Sequence, residues 1–194
     1  MYANLTAFKA AVFSCNPPYD AASLNEIEIA WKIYQGAQQA HLNLLVLGRM
    51  VAENTELTAG IDDLMRTNLL KMNERQAGGS IMYTEKWSLL VNDAFLIGGI
   101  HSFTEFHLAS PRERRNIRCS VGDFAGQLTV TGRELVALRE FGYSVRKLPL
   151  GEVFVCTDHK AAARADFATY VKKVLIYTER EDESIKLCDF TVHK

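Results

Sequence analysis

The spacing of apolar residues changes at Gly78-Gly79, and that change limits the fold more than any other feature of the chain. Before it, Ile27, Ala30, Trp31, Tyr34, Ala37, Leu44, Leu45, Leu47 and Val51 recur mostly at threes and fours, as do Ile61, Leu64, Met65, Leu69 and Met72. That spacing puts one apolar stripe on each of two helices. Ser23-Leu24-Asn25-Glu26 has the form of a capping box, so the first of them is expected from there to about Glu53. The second folds back on it as a hairpin. A shorter helix over Leu5–Phe13, closed by Asn16-Pro17-Pro18, precedes both.

Beyond the glycine pair the runs are rich in aromatic and β-branched residues. Ile81–Val91 and Ala94–Leu108 read as two strands turning at Asn92-Asp93, with Gly98 and Gly99 as a bulge near His101. Ser110-Pro111-Arg112-Glu113 and Thr131-Gly132-Arg133-Glu134 are further helix starts, and Gly142 is a left-handed stop. Tyr143–Leu148 and Glu152–Cys156 read as short strands around Pro149-Leu150-Gly151. Asp158 caps a helix to about Tyr177, and Ile185–Val192 reads as a last strand.

This order predicts an α+β fold: an N-terminal helical hairpin packed on a mostly antiparallel mixed sheet, with additional covering helices. A chain of 194 residues forms one core without staples, so a single domain is expected, with residues 1–77 as its helical part and 78–194 holding the sheet.

Charge and cysteine use restrict the function classes. With 22 basic and 23 acidic side chains, net charge -1, the surface as a whole is not built to hold nucleic acid or an anionic membrane. The apolar runs Leu44–Leu47 and Ala94–Ile100 fall far short of the ~20 residues that span a bilayer. Scattered Cys15, Cys119, Cys156 and Cys188, with no basic and apolar leader after Met1, lead to the expectation of a reduced, cytoplasmic protein. Phosphate-loop, dinucleotide, zinc-protease and nucleophile-elbow fingerprints do not occur, and no cofactor is expected.

Three groups of residues are candidates for chemistry. On a strand, His101, Glu105 and His107 share a face, with Glu105 and His107 about 7 Å apart. A carboxylate that holds an imidazole tautomer is a general acid/base arrangement. The plain alternative is a polar edge strand, or a histidine satisfied by a carbonyl.

Near the C-terminus, Cys156, His159, Cys188 and His193 are weak candidates for a zinc site, because Cys188 and His193 differ in strand parity. Cys156 beside a helix start is also the best-placed potential nucleophile. Its alternative is a buried strand cysteine.

Third, Arg112, Arg114, Arg115 and Arg118 lie within seven residues. Arginine forks bind phosphate or carboxylate, so Arg112 and Arg115 are candidates for holding an anionic group. The alternative is the solvated face of a short helix, and no aromatic ladder accompanies them as RNA recognition would require.

The reading that results is a small protein-binding module, an adaptor, inhibitor or immunity-type protein, with Tyr2, Trp31, Tyr34, Tyr83, Trp87 and Tyr143 as interface anchors where exposed. The alternative is a hydrolase or transferase with a His/Glu acid-base pair acting on a small anionic substrate. A weaker one is RNA or nucleotide binding through the arginines.

Overall fold

The computed structural model describes residues 1–15, 17–39, 44–47, 88–108, 111–120, 122, 125–148 and 151–190. The expected second helix over 61–72 and the first expected strand up to residue 87 lie outside them.

Helix α1 (Leu5–Phe13) matches the sequence reading and buries Phe8 and Val12. Helix α2 (Leu24–Gln39) starts as its capping box predicts, with the Ser23 hydroxyl accepting the Glu26 amide at 3.1 Å. Ile27, Ala30, Ile33, Tyr34 and Ala37 bury one stripe of it. The helix stops well short of Glu53, and Leu44–Leu47 forms strand β1 instead. Four consecutive apolar residues suit a buried parallel strand, and β1 runs parallel to β2 (Glu105–Leu108).

The largest correction concerns the second half of the expected hairpin. Leu89–His101 is a helix, α3, in which Ser88 caps the start by accepting the Val91 amide. Every residue from Leu90 to His101 is buried. A helix enclosed on all sides is apolar all round, so it has no stripe to distinguish it from a strand. Asn92-Asp93 is therefore not a turn, and Gly98-Gly99 is not a bulge.

The two glycines set the spacing of α3 from its neighbours. A Cβ on Gly98 would lie 2.5 Å from the Tyr34 carbonyl oxygen of α2, and one on Gly99 would lie 2.7 Å from the Phe106 ring of β2. Helix α3 thus fits between α2 and the sheet.

The chain continues through α4 (Arg114–Ile117), α5 (Val130–Glu140), β3 (Tyr143–Leu148), β4 (Gly151–Cys156), α6 (His159–Ala163), α7 (Phe167–Glu179) and α8 (Glu181–Ile185). Helix α4 is a single turn whose N-cap, Glu113, makes no side-chain cap bond. The cap of α5 is Thr129, two residues before the expected Thr131. Gly142 then ends that segment with φ +82°, as expected, and receives the Thr157 and Asp158 amides on its carbonyl.

Strands β3 and β4 form the predicted hairpin, in register from Tyr143–Cys156 to Leu148–Gly151. The expected helix from Asp158 divides at Arg164–Asp166, because Asp166 caps a new start by accepting the Thr169 amide at 2.8 Å. The expected strand Ile185–Val192 is replaced by α8 and a turn as far as Phe190; the last four residues lie outside the described set.

The sheet order is β1-β2-β4-β3, with one parallel and two antiparallel pairings. Leu45, Phe106, Phe154 and Val145 lie side by side across it, all fully buried. The fold is α+β, as the alternation of patterns implied. Among the described residues no helix is long and apolar enough to cross a membrane.

A candidate anion-binding face

His101 closes α3 and does not share a strand face with Glu105 and His107, as the strand reading required. Its ring is buried, with Nδ1 2.8 Å from the Tyr34 hydroxyl and Nε2 2.7 Å from the Ala165 carbonyl. The Ala165 oxygen can only accept, so Nε2 carries the proton and the Tyr34 hydroxyl donates to Nδ1. Tyr34 in turn accepts the Tyr2 amide at 3.1 Å. Burial lowers the His101 pKa to about 4, against the smaller upward pull of Ala165. This imidazole is neutral and both nitrogens are engaged.

His107 lies on β2, buried beside β4. Glu105 is half-buried and pairs with Arg146 at 3.1 Å. A carboxylate that does meet buried partners is Asp93 of α3, which the sequence reading assigned to a turn. Its Oδ2 accepts from Tyr19 at 2.5 Å and from Arg133 Nη2 at 2.6 Å, and its Oδ1 accepts from Tyr170 at 2.9 Å. Burial raises the Asp93 carboxyl, and the guanidinium and two phenols pull it back. Asp93 alone interrupts the charge-free run from Trp87 to Ile100, and that was the available signal of a buried polar centre.

Cys156 ends β4, half-buried. Burial pushes its thiol up, with the Asp158 backbone pulling down and the Asp158 carboxylate pushing up again. A helix start therefore does not activate it. His159 is exposed, with its ring 4.6 Å from that of Phe103. Cys188 follows α8 with its thiol also raised by burial, and His193 lies outside the described residues. Among the described residues no group of three or more His, Cys, Asp or Glu is placed to hold a metal ion.

The four clustered arginines divide into two inner and two outer. Arg112 is enclosed: Nε and Nη2 hold both oxygens of Glu152 on β4 at 2.6 and 2.9 Å, and Nη1 reaches the Cys188 carbonyl. It lies 5.5 Å from the Phe190 ring. The sequence made Arg112 a candidate for holding an anionic group, but its fork is filled by its own chain.

Arg118 is likewise consumed. It bridges antiparallel to Leu128, across a loop in which Gly122 and Gly126 have φ +76° and +83°. Its Nε donates to Ser184 at 2.7 Å, its Nη2 to the Tyr177 and Thr178 carbonyls at 2.7 and 3.1 Å, and its Nη1 to Gly126. The last carbonyls of a helix lack intrahelical donors and carry the negative end of its dipole, so a guanidinium is well matched to the end of α7.

With Arg118 fixed, Arg114 and Arg115 of α4 point outward, their side chains 74% and 76% exposed. Arg114 pairs with Glu181 of α8, and Arg115 with Glu113 at 2.6 Å. The surface between them is an open depression of about 540 Å³, lined by Arg114, Arg115, Arg118, Cys119, Ser120 and Glu181 among others. Three guanidiniums line it: Arg118 is engaged by its own chain, Arg114 meets Glu181 and Arg115 meets Glu113 just outside the lining, and Ser120 adds a hydroxyl. Guanidiniums and a hydroxyl are groups that can hold carboxylate or phosphate oxygens. The depression brings Arg115 together with Arg114 and Arg118, which the sequence singled out only as members of a run, and with Glu181, which it did not.

A scan against protein-family models, a search of curated proteins and a search of solved structures each gave no match.

Proposed function

We propose that this protein is a binding module that receives an acidic segment of a partner protein on the face formed by Arg114 and Arg115. The observation that carries this reading is the open, arginine-lined depression. Its outer guanidiniums are held only by exposed carboxylates, and exposed ion pairs contribute little and exchange readily. The aromatic anchors expected from sequence do not carry it. Tyr34 and Tyr143 are buried, Tyr2 and Trp31 are half-buried against the aromatic cluster around Phe8, and Tyr83 and Trp87 lie outside the described residues.

The hydrolase or transferase alternative draws no support from the histidines, since His101 has no free nitrogen and His107 is buried. A cytoplasmic location remains part of the proposal, in keeping with four free thiols.

The test is fluorescence anisotropy with a labelled oligoglutamate peptide, repeated with an RNA oligonucleotide and with an oligolysine peptide. The expected result is binding of oligoglutamate that weakens as salt rises and drops about tenfold in the Arg114→Ala/Arg115→Ala variant. Binding that ignores this double substitution, or its absence at low salt, overturns the proposal. Preference for RNA over oligoglutamate does so too, and moves the assignment to nucleic acid.

A further inference from the structure

The arginine face already holds a carboxylate. Glu181 opens α8, 67 residues along the chain from Arg114, and its Oε1 meets Arg114 Nη2 at the wall of the depression. The helix that carries it is fastened independently. Ser184 receives Arg118 Nε at 2.7 Å, and the Tyr177 and Thr178 carbonyls just before α8 receive Arg118 Nη2. Glu183, the other glutamate of the first turn of α8, faces Lys186 at 2.7 Å. Glu181 can therefore leave Arg114 by side-chain rotation alone, without moving α8.

From this arrangement we infer that Glu181 is a built-in competitor for the anion site. It occupies the position on Arg114 that a carboxylate of the partner takes, and the partner binds by exchanging one carboxylate for another. This inference rests on the proposed acidic-segment reading and specifies its regulation. The exchange conserves the number of ion pairs at Arg114. Arg115 has an exposed counter-ion of its own, Glu113 at 2.6 Å, so the same exchange holds there. Net affinity then comes from Ser120 and from engaging both arginines with one segment, and specificity favours segments with more than one carboxylate. A single carboxylate gains nothing at Arg114 that Glu181 does not already supply.

The experiment compares Glu181→Gln with Glu179→Gln by the same oligoglutamate anisotropy at low salt. Both remove one negative charge from exposed positions two residues apart, and only Glu181 touches an arginine of the depression. Glu181→Gln is expected to tighten binding about two- to fivefold, the range open to an exposed ion pair, and Glu179→Gln to leave it nearly unchanged. Equal tightening by both variants overturns the inference, because bulk charge then explains the effect. Unchanged or weaker binding by Glu181→Gln, where the wild-type protein binds through Arg114 and Arg115, also overturns it and leaves the proposed function standing. Absence of binding by wild type and Glu181→Gln alike overturns both.

Discussion

Two arginine–carboxylate pairs in this protein have nearly the same chemistry and opposite surroundings. In Arg133–Asp93 the side chains are 11% and 0% exposed; in Arg114–Glu181 they are 74% and 56% exposed. The buried pair is surrounded by committed partners: Tyr19 from the segment between α1 and α2, Tyr170 from α7, and the Tyr170 ring 5.4 Å from the guanidinium. It fastens three regions to one carboxylate of α3. The exposed pair joins two short elements and can open to water at either end. A guanidinium becomes available for recognition only where its counter-ion is easily lost, so burial decides which arginine is structural and which is a binding group.

The largest test of this contrast removes the buried anion. Asp93→Ala is expected to cost about 3–5 kcal/mol in urea denaturation, because it leaves the Arg133 charge and two phenols without their acceptor in the interior. A loss no larger than that of a surface substitution breaks the comparison.

A second test uses pH. The folded protein holds the His101 pKa at about 4, below the value near 6.5 of an unfolded chain, so between these values the unfolded state binds the extra proton. The His101 contribution is complete above pH ~6.5 and is lost as pH falls toward 4, amounting to roughly 3 kcal/mol. Denaturation midpoints of His101→Gln should decline less across this window than those of the wild type. Parallel declines sink the assignment.

The smallest effect is expected at the exposed pair. Arg114→Ala should change stability by less than about 1 kcal/mol while it weakens oligoglutamate binding. A large thermal destabilisation would show that α4 and α8 depend on the pair, and would sharpen the boundary between the two classes.

These contrasts also explain which features were legible in the sequence. The Tyr143–Cys156 hairpin, the helix over Leu5–Phe13, the Ser23 cap and the Gly142 stop were all readable, because each depends on residues next to one another in the chain. Helix α3 was not. Its enclosure by α2, the sheet and α5 removed the periodicity that marks a helix, and Asn92-Asp93 imitated a turn. At the candidate site the run of arginines was visible, but their division was not. Arg112 is consumed by Glu152 and the Cys188 carbonyl, and Arg118 by the carbonyls that end α7. These partners lie 40 to 76 residues away in sequence.

The two glycines of α3 have a consequence for descent. Gly98 touches the α2 backbone and Gly99 touches the Phe106 ring of β2, so a side chain at 98 must displace α2 itself, whereas one at 99 must displace side chains of the sheet. The two positions are thus independent gauges of layer spacing. A diverged relative with alanine at 98 must have moved α2 away from α3, and one with alanine at 99 must have shifted the Phe106 ring or replaced it with a smaller residue. The pair can be inherited together or lost in separate steps, and each loss leaves a compensating change at an identifiable partner.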